Sequence, residues 1–205
     1  MKLYGFPPSP NTWKVRAFAH HIGVPLEFEL VDLSKRAQRQ PGYLARNPTG
    51  RTPTLVDGDF TLWESSAILN YLANTTPGPH EAKDARTRAD IARWHCWQLA
   101  HLAPACGPYL FERLVKGVLR LGAPDEARVA AAEPALHAEA KVLDQHLASR
   151  SHIVGTAPTT ADFAVIGPFL YSERARMPLG DNANLMRWRT GIMALPCWAA
   201  TAPQM

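Results

Sequence analysis

Three short stretches in the first third of the chain carry residue types that can do chemistry if the fold brings them together. The first is Ser9-Pro10-Asn11-Thr12, between an apolar KLYG run and a helical pattern that begins at Thr12. A helix N-terminus exposes orphan N–H groups and the positive end of the peptide dipoles. An anion placed there is stabilised without a metal, and a thiolate placed there has its pKa lowered. Asn11 equally suits an ordinary N-cap and Ser9 an ordinary turn. The second stretch is Thr52-Pro53, directly before the apolar TLV of residues 54–56. Proline cannot donate to a ladder and is pushed to edges, bulges and strand starts. A cis bond here would turn the Thr52 main chain outward, free to pair with an extended peptide as an added strand; a trans proline opening an edge strand is the ordinary alternative. The third stretch is Glu64-Ser65, which follows FTLW and opens the helical SSAILNYLAN. Ser65 with a helix N-terminus behind it receives a carboxylate, and Glu64 receives an ammonium, so the pair fits an α-amino acid head. Both residues also suit a plain helix cap.

The elements that must position these residues are legible. Residues 2–5 read as a strand, and Thr12 to Ile22 as a helix stopped by Gly23 and Pro25. Leu26 to Val31 alternates as a strand with one buried face. A polar stretch, SKRAQRQPG, follows. Thr54–Val56 and Phe60–Trp63 flank Asp57-Gly58, a strong hairpin signal. Strands separated by a helix pair in parallel with a right-handed crossover. TTPGPHE, residues 75–81, reads as a linker. Beyond it the pattern is helical, with candidate helices at 83–116, 125–149, 160–176 and 183–194.

Bulk properties narrow the function classes. The chain has 205 residues, 46% hydrophobic and 20% charged, which suits one large or two small cores. No apolar run approaches the roughly 20 residues of a membrane span, and the N-terminus has no signal-peptide apolar region, so a soluble cytoplasmic protein is expected. Three well-separated cysteines, Cys96, Cys106 and Cys197, suit a reducing compartment. The net charge is +4 with lysines and arginines scattered, which gives little support to nucleic-acid binding. The histidines form no metal spacing: His20 and His21 diverge on a helix, and His95 and His101 do not share a face.

A thiol site, a backbone-pairing site and an amino-acid-head site are together the parts needed to hold glutathione. With those residues quoted, the chain resembles the glutathione S-transferase family, residues 2–74 matching its thioredoxin-like domain and 83–200 its helical domain. The family pattern has a cis-proline before the third strand, here Thr52-Pro53. It has an acid–serine pair before the third helix, here Glu64-Ser65, and a Ser/Thr-x-x-Asp box, here Thr159 to Asp162. The box reads as a helix cap with no chemistry. The resemblance implies an α/β N-terminal thioredoxin-like domain at 1–75, a linker at 76–82 and an all-α helical-bundle domain at 83–205. It implies a bacterial, serine-type member with phi/theta-like and nu-like features, glutathione as co-substrate, no metal, a small hydrophobic electrophile as second substrate, and a homodimer.

Alignment through Gly5 and Gly23 puts Ser9 at the family's serine position, and the Ser-Pro-Asn run resembles the Thr-Pro-Asn of nu-like enzymes, which nominates Asn11 as a second donor. No cysteine stands nearby, and Tyr4 lies inside the strand. In the polar loop, Gln38 matches a glutathione contact of the nu-like pattern and Arg39 suits the glycyl carboxylate; both also suit a solvated loop. The implied mechanism is thiolate generation. A free thiol of pKa near 8.5 is ~3% ionised at pH 7, and a drop of ~2 units, worth ~2.7 kcal/mol, makes most of it thiolate. The resemblance puts the second substrate between the domains, with Trp94, Trp97, His101 and Phe111 as candidate walls or simply core. Alternatives are a glutathione-dependent disulfide reductase or peroxidase, a non-catalytic glutathione-fold binding or scaffold protein, and a zeta-like isomerase, whose serine-serine-cysteine run is absent.

Overall fold

The computed structural model describes residues 1–203. Packing divides the chain into two units, Met1–Ala82 with the segment from Ala194 onward, and Lys83–Met193.

In the first unit the elements are β1 (Lys2–Gly5), α1 (Pro10–His21), β2 (Glu27–Leu30), α2 (Pro41–Leu44), β3 (Thr54–Asp57), β4 (Phe60–Trp63) and α3 (Ser65–Thr75). Among the described residues four strands form one sheet in the order β2-β1-β3-β4. β1 and β2 are parallel across an α-helical crossover, and β3 is antiparallel to both β1 and β4. The β3–β4 hairpin turns through Gly58, whose φ of +59° favours glycine. Leu3 and Leu55, and Val15, Phe18, Ile68, Leu69 and Leu72 from α1 and α3, are fully enclosed. Tyr4, Val31 and Tyr43 form a further buried cluster with Leu33, Ala37 and Val56 packed against it.

Two details differ from the sequence reading. α1 begins at Pro10, not Thr12, because proline has no N–H to lose at the first helical position. Ser9 is therefore the N-cap residue, and Asn11 lies inside the first turn. β2 lacks a clean buried face: it is an edge strand, Leu30 is 57% exposed, and Glu27 and Glu29 both pair with Lys2.

In the second unit one helical run covers α4 (Ala85–Trp97), a π turn (Gln98–Leu102), α5 (Ala103–Leu110), a second π turn (Phe111–Val115) and α6 (Lys116–Leu119). Pro104 and Pro108 cannot donate to the i→i−4 ladder, and the wider turns flank them. α7 (Glu126–His146), α8 (Thr160–Ile166) and α9 (Ala183–Met193) complete the unit, with α5 on α7, α4 on α8 and α7 on α9. The helix expected over 160–176 stops early, because Gly167-Pro168 converts the chain to a 3-10 turn at Gly167–Phe169.

The sequence suggested grouping everything from 83 to 205. The packing instead joins α10 (Pro196–Ala200) to the first unit. Trp198 meets Trp13 edge-to-face at 5.5 Å, and Trp13 Nε1 donates to Thr201 Oγ1 at 3.2 Å. Positions 204 and 205 lie outside the described residues. No helix among the described residues is long and apolar enough to cross a membrane.

Candidate functional site

Strand register decides which residues share a neighbourhood. Tyr4 near the end of β1 stands opposite Thr54 at the start of β3, and Thr54 stands opposite Trp63 at the end of β4. The Ser9 turn, Pro53 and the Glu64 turn therefore leave the sheet at one end. Segments more than fifty residues apart in sequence meet there.

The turn after β1 is tight. A Cβ on Gly5 would lie 2.5 Å from Thr12 Cγ2, so α1 packs directly on the strand's end. Ser9 N donates to Phe6 O at 2.9 Å, which closes the turn. Ser9 is extended (φ −65°, ψ 125°) and its hydroxyl makes no cap bond to α1. Asn11 projects from the first turn, and Ser65 Oγ donates to its Oδ1 at 3.3 Å. Ser65 is the buried first residue of α3. Glu64 before it is exposed and holds φ 72°, ψ 113°, a left-handed conformation rare for a non-glycine residue, without capping the helix through its side chain.

The Thr52–Pro53 bond is cis. A buried polar network holds the chain that leads to it. Asn47, 1% exposed, donates from Nδ2 to Arg51 O (2.9 Å) and Thr54 Oγ1 (3.1 Å) and accepts at Oδ1 from Thr49 N and Thr49 Oγ1. The Tyr43 hydroxyl also bonds Arg51 O and Thr54 Oγ1. Burial raises the Tyr43 pKa, so this hydroxyl stays a neutral donor. Gln38 and Arg39 reach the same loop from the other side. A Cβ on Gly50, already at φ +60°, would lie 3.1 Å from the Gln38 carbonyl and 2.7 Å from Arg39 Nη1, so backbone conformation and a tight approach both favour glycine. Gln38 Oε1 is buried with no hydrogen-bond partner among the described residues.

The fold thus brings Ser9 and Asn11 together with Glu64 and Ser65, and Gln38 and Arg39 together with the Thr52-Pro53 loop. Tyr43, Asn47 and Thr54 escaped the sequence reading; the NPTG turn signal that Asn47 opens was the available clue. Lys14 also escaped. It is 0% exposed, its ammonium has no hydrogen-bond partner among the described residues, and burial lowers its pKa from 10.5 to about 8, with the Glu64 carboxylate opposing that drop. A lysine between Trp13 and Val15 on a helix with a buried face was its signal.

Burial pushes the Cys106 thiol up to about 12 and the Cys197 thiol up to about 11, so neither ionises near neutral pH. A cavity of about 270 Å³ in the second unit is lined by Arg93, Trp94, Trp97, Val142 and His146, not by His101 or Phe111. Trp94 is buried core, and Trp97 Nε1 donates to Glu139 at 2.8 Å. Among the described residues no group of three or more His, Cys, Asp or Glu is arranged to hold a metal ion.

Residues 1–74 match the glutathione S-transferase N-terminal domain, and residues 100–196 match the glutathione S-transferase C-terminal domain. The chain belongs to the glutathione S-transferase family. It is 36% identical to glutathione S-transferase 3 of Zea mays over 98% of this chain and 92% of that protein. It is 28% identical to glutathione S-transferase F9 of Arabidopsis thaliana over 98% and 95%. Among solved structures it superposes on glutathione transferase F7 of Populus trichocarpa with a TM-score of 0.90 at 26% identity, covering 98% and 96% of the two chains.

Proposed function

We propose that this chain is a serine-type, phi-like glutathione transferase in which Ser9 and Asn11 stabilise the glutathione thiolate. Glutathione S-transfer is the activity of the family; what is added is how these residues perform it. The observation that carries it is the Ser65–Asn11 hydrogen bond at 3.3 Å, which ties the thiol end and the amino-acid-head end into one site. Ser9 supplies a hydroxyl uncommitted to its own helix, and the N–H groups of the first turn of α1 add their partial positive charge. Asn11 accepts at Oδ1, which leaves its Nδ2 to donate. The γ-glutamyl carboxylate takes the Ser65 hydroxyl and the α3 N-terminus, releasing Asn11 toward the sulfur, while Glu64 takes the ammonium. The Thr52 main chain pairs with the cysteinyl peptide, and Gln38 and Arg39 take the glycyl end.

The thiolate then attacks carbon in a small hydrophobic electrophile, expelling the leaving group with its electron pair. The same thiolate serves glutathione-dependent disulfide reduction, the nu-like reading that Asn11 favours. We take 1–75 as the glutathione-binding domain, 76–82 as the linker and the helices from 83 as the second domain, save α10, which packs with the first. We expect a homodimer in the cytoplasm. The test is the thiolate absorbance of bound glutathione, titrated in the parent, Ser9→Ala and Asn11→Ala. An unchanged pKa in both variants overturns the assignment. Turnover with an aromatic halide and with a disulfide separates the two chemistries, and glutathione binding without either leaves only a binding protein.

A further inference from the structure

We propose that Lys14 is a positioning residue for glutathione recognition: its buried ammonium holds the Glu64 carboxylate toward the ligand's amino group. Lys14 lies on α1 three residues after Asn11, so the two share one side of the helix. That side meets α3, because Asn11 bonds Ser65, and α1 packs along α3. The ammonium is fully enclosed and has no hydrogen-bond partner among the described residues. An enclosed, unpaired cation opposes folding, and a lysine stem alone would pack as well as methionine. Ser65, which Asn11 bonds, directly follows Glu64, so this side of α1 meets α3 at the Glu64 end, and the Glu64 charge opposes the lowering of the Lys14 pKa by burial. Glu64 is itself held at φ 72°, a backbone state that persists only when the surroundings enforce it, and its side chain does not cap α3. A buried cation on the side of α1 that meets the start of α3 is the charge available to draw that carboxylate. It draws the carboxylate in one direction without occupying the outer face that the ligand uses.

The proposal, which rests on Glu64 being the ammonium partner, is tested by a double-mutant cycle on glutathione. Lys14→Met keeps the stem volume and removes the charge; Lys14→Arg keeps the charge; Glu64→Gln removes the carboxylate alone. Lys14→Met is expected to raise KM for glutathione about tenfold with kcat changed less than about threefold. It should leave Tm equal or higher. Lys14→Arg should recover much of the KM. In the Glu64→Gln background, Lys14→Met should change KM by less than about twofold, because the group it positions is gone. If Glu64→Gln alone leaves KM unchanged, the Glu64 assignment fails. If Glu64→Gln raises KM but Lys14→Met leaves it unchanged or acts additively with it, Glu64 stands and the role of Lys14 is overturned. Should Lys14→Met not fold, the Lys14→Arg and Lys14→Gln pair decides the same point, a KM equal in the two overturning the role of charge.

Discussion

The N-termini of the helices in the two units are built to opposite ends. In the second unit they are closed. Asp84 accepts from Arg86 N and Thr87 N, and Asp125 from Arg128 N. Thr159 and Asp162 form a complete capping box at α8. In the first unit α1 and α3 begin with Ser9 and Glu64, both cap-competent, and neither side chain caps its helix. The residue types are alike; the difference lies in what else the fold offers them. Asp162 Oδ1 accepts from Ile153 N and Trp188 Nε1, and Oδ2 from Thr159 N and Thr159 Oγ1, so nothing is left for a ligand. Ser9, Glu64 and Ser65 stand at the sheet's end, where separate segments meet, rather than inside one turn. A cap satisfied locally is structure; we propose that cap residues left uncommitted to their own helix, as Ser9 and Glu64 are, serve the ligand.

The contrast extends to the two buried charges. Asp162 and Lys14 are both fully enclosed. Asp162 is surrounded by donors, and the burial that pushes its pKa up is opposed by the Thr159 and Ile153 N–H groups and the Trp188 indole. For Lys14, among the described residues, the Glu64 charge is what opposes the effect of burial.

The largest break in this comparison is expected from Asp162→Asn. An isosteric amide turns an NH₂ toward N–H donors that need an acceptor, so stability should drop by about 3 kcal/mol. Urea unfolding measures it, and KM for glutathione of the folded protein should stay unchanged. A loss below about 0.5 kcal/mol would show that Asp162 is not needed as a pure acceptor.

Lys14 should give the opposite result with nearly the same magnitude. The unfolded chain keeps the lysine proton up to its ordinary 10.5, while the folded chain releases it from about 8. Between those values the unfolded state binds more protons, so stability rises with pH across the window. The gain relative to Lys14→Met should reach about 3 kcal/mol, since each pKa unit is worth about 1.4. Unfolding of both proteins at pH values below 8 and above 10.5 measures it. A constant difference between them would mean that Lys14 titrates normally.

Ser9→Ala sharpens the comparison at the open end of α1. Losing one donor to a charged sulfur should lower kcat roughly 10–100-fold and raise the bound thiol's pKa, with KM changed less. Equal loss of stability and no loss of kcat would make Ser9 an ordinary turn residue.

Ser65→Ala has the smallest expected effect. If Ser65 serves the ligand, glutathione affinity should fall about tenfold, so a saturating dose should raise Tm much less than in the parent. A plain cap would instead lose about 1 kcal/mol with or without glutathione. A ligand-induced Tm shift equal to that of the parent would place Ser65 with the caps of the second unit.

Local chemistry was enough for much of this protein. The Asp57-Gly58 hairpin, the Gly23 helix stop and the Thr159–Asp162 box were legible because each depends on residues adjacent or a few positions apart, and the parallel β1–β2 pairing because a strand–helix–strand order admits one crossover. The long helical run was legible too, though not its π turns. What the sequence could not give is what spans distance. Leu30 looked like a core residue until β2 proved to be an edge strand. Residues 194–203 followed the helical pattern, yet Trp198 belongs with Trp13. Asn47, Tyr43 and Thr54 became one network only when β3 brought Thr54 back over them. Lys14 drew no notice in the sequence, and only the folded packing shows that it is fully enclosed. Sequence periodicity encodes which face of an element is apolar; which element covers that face, and which polar group is left under it without a partner, is decided only when long-range packing removes water.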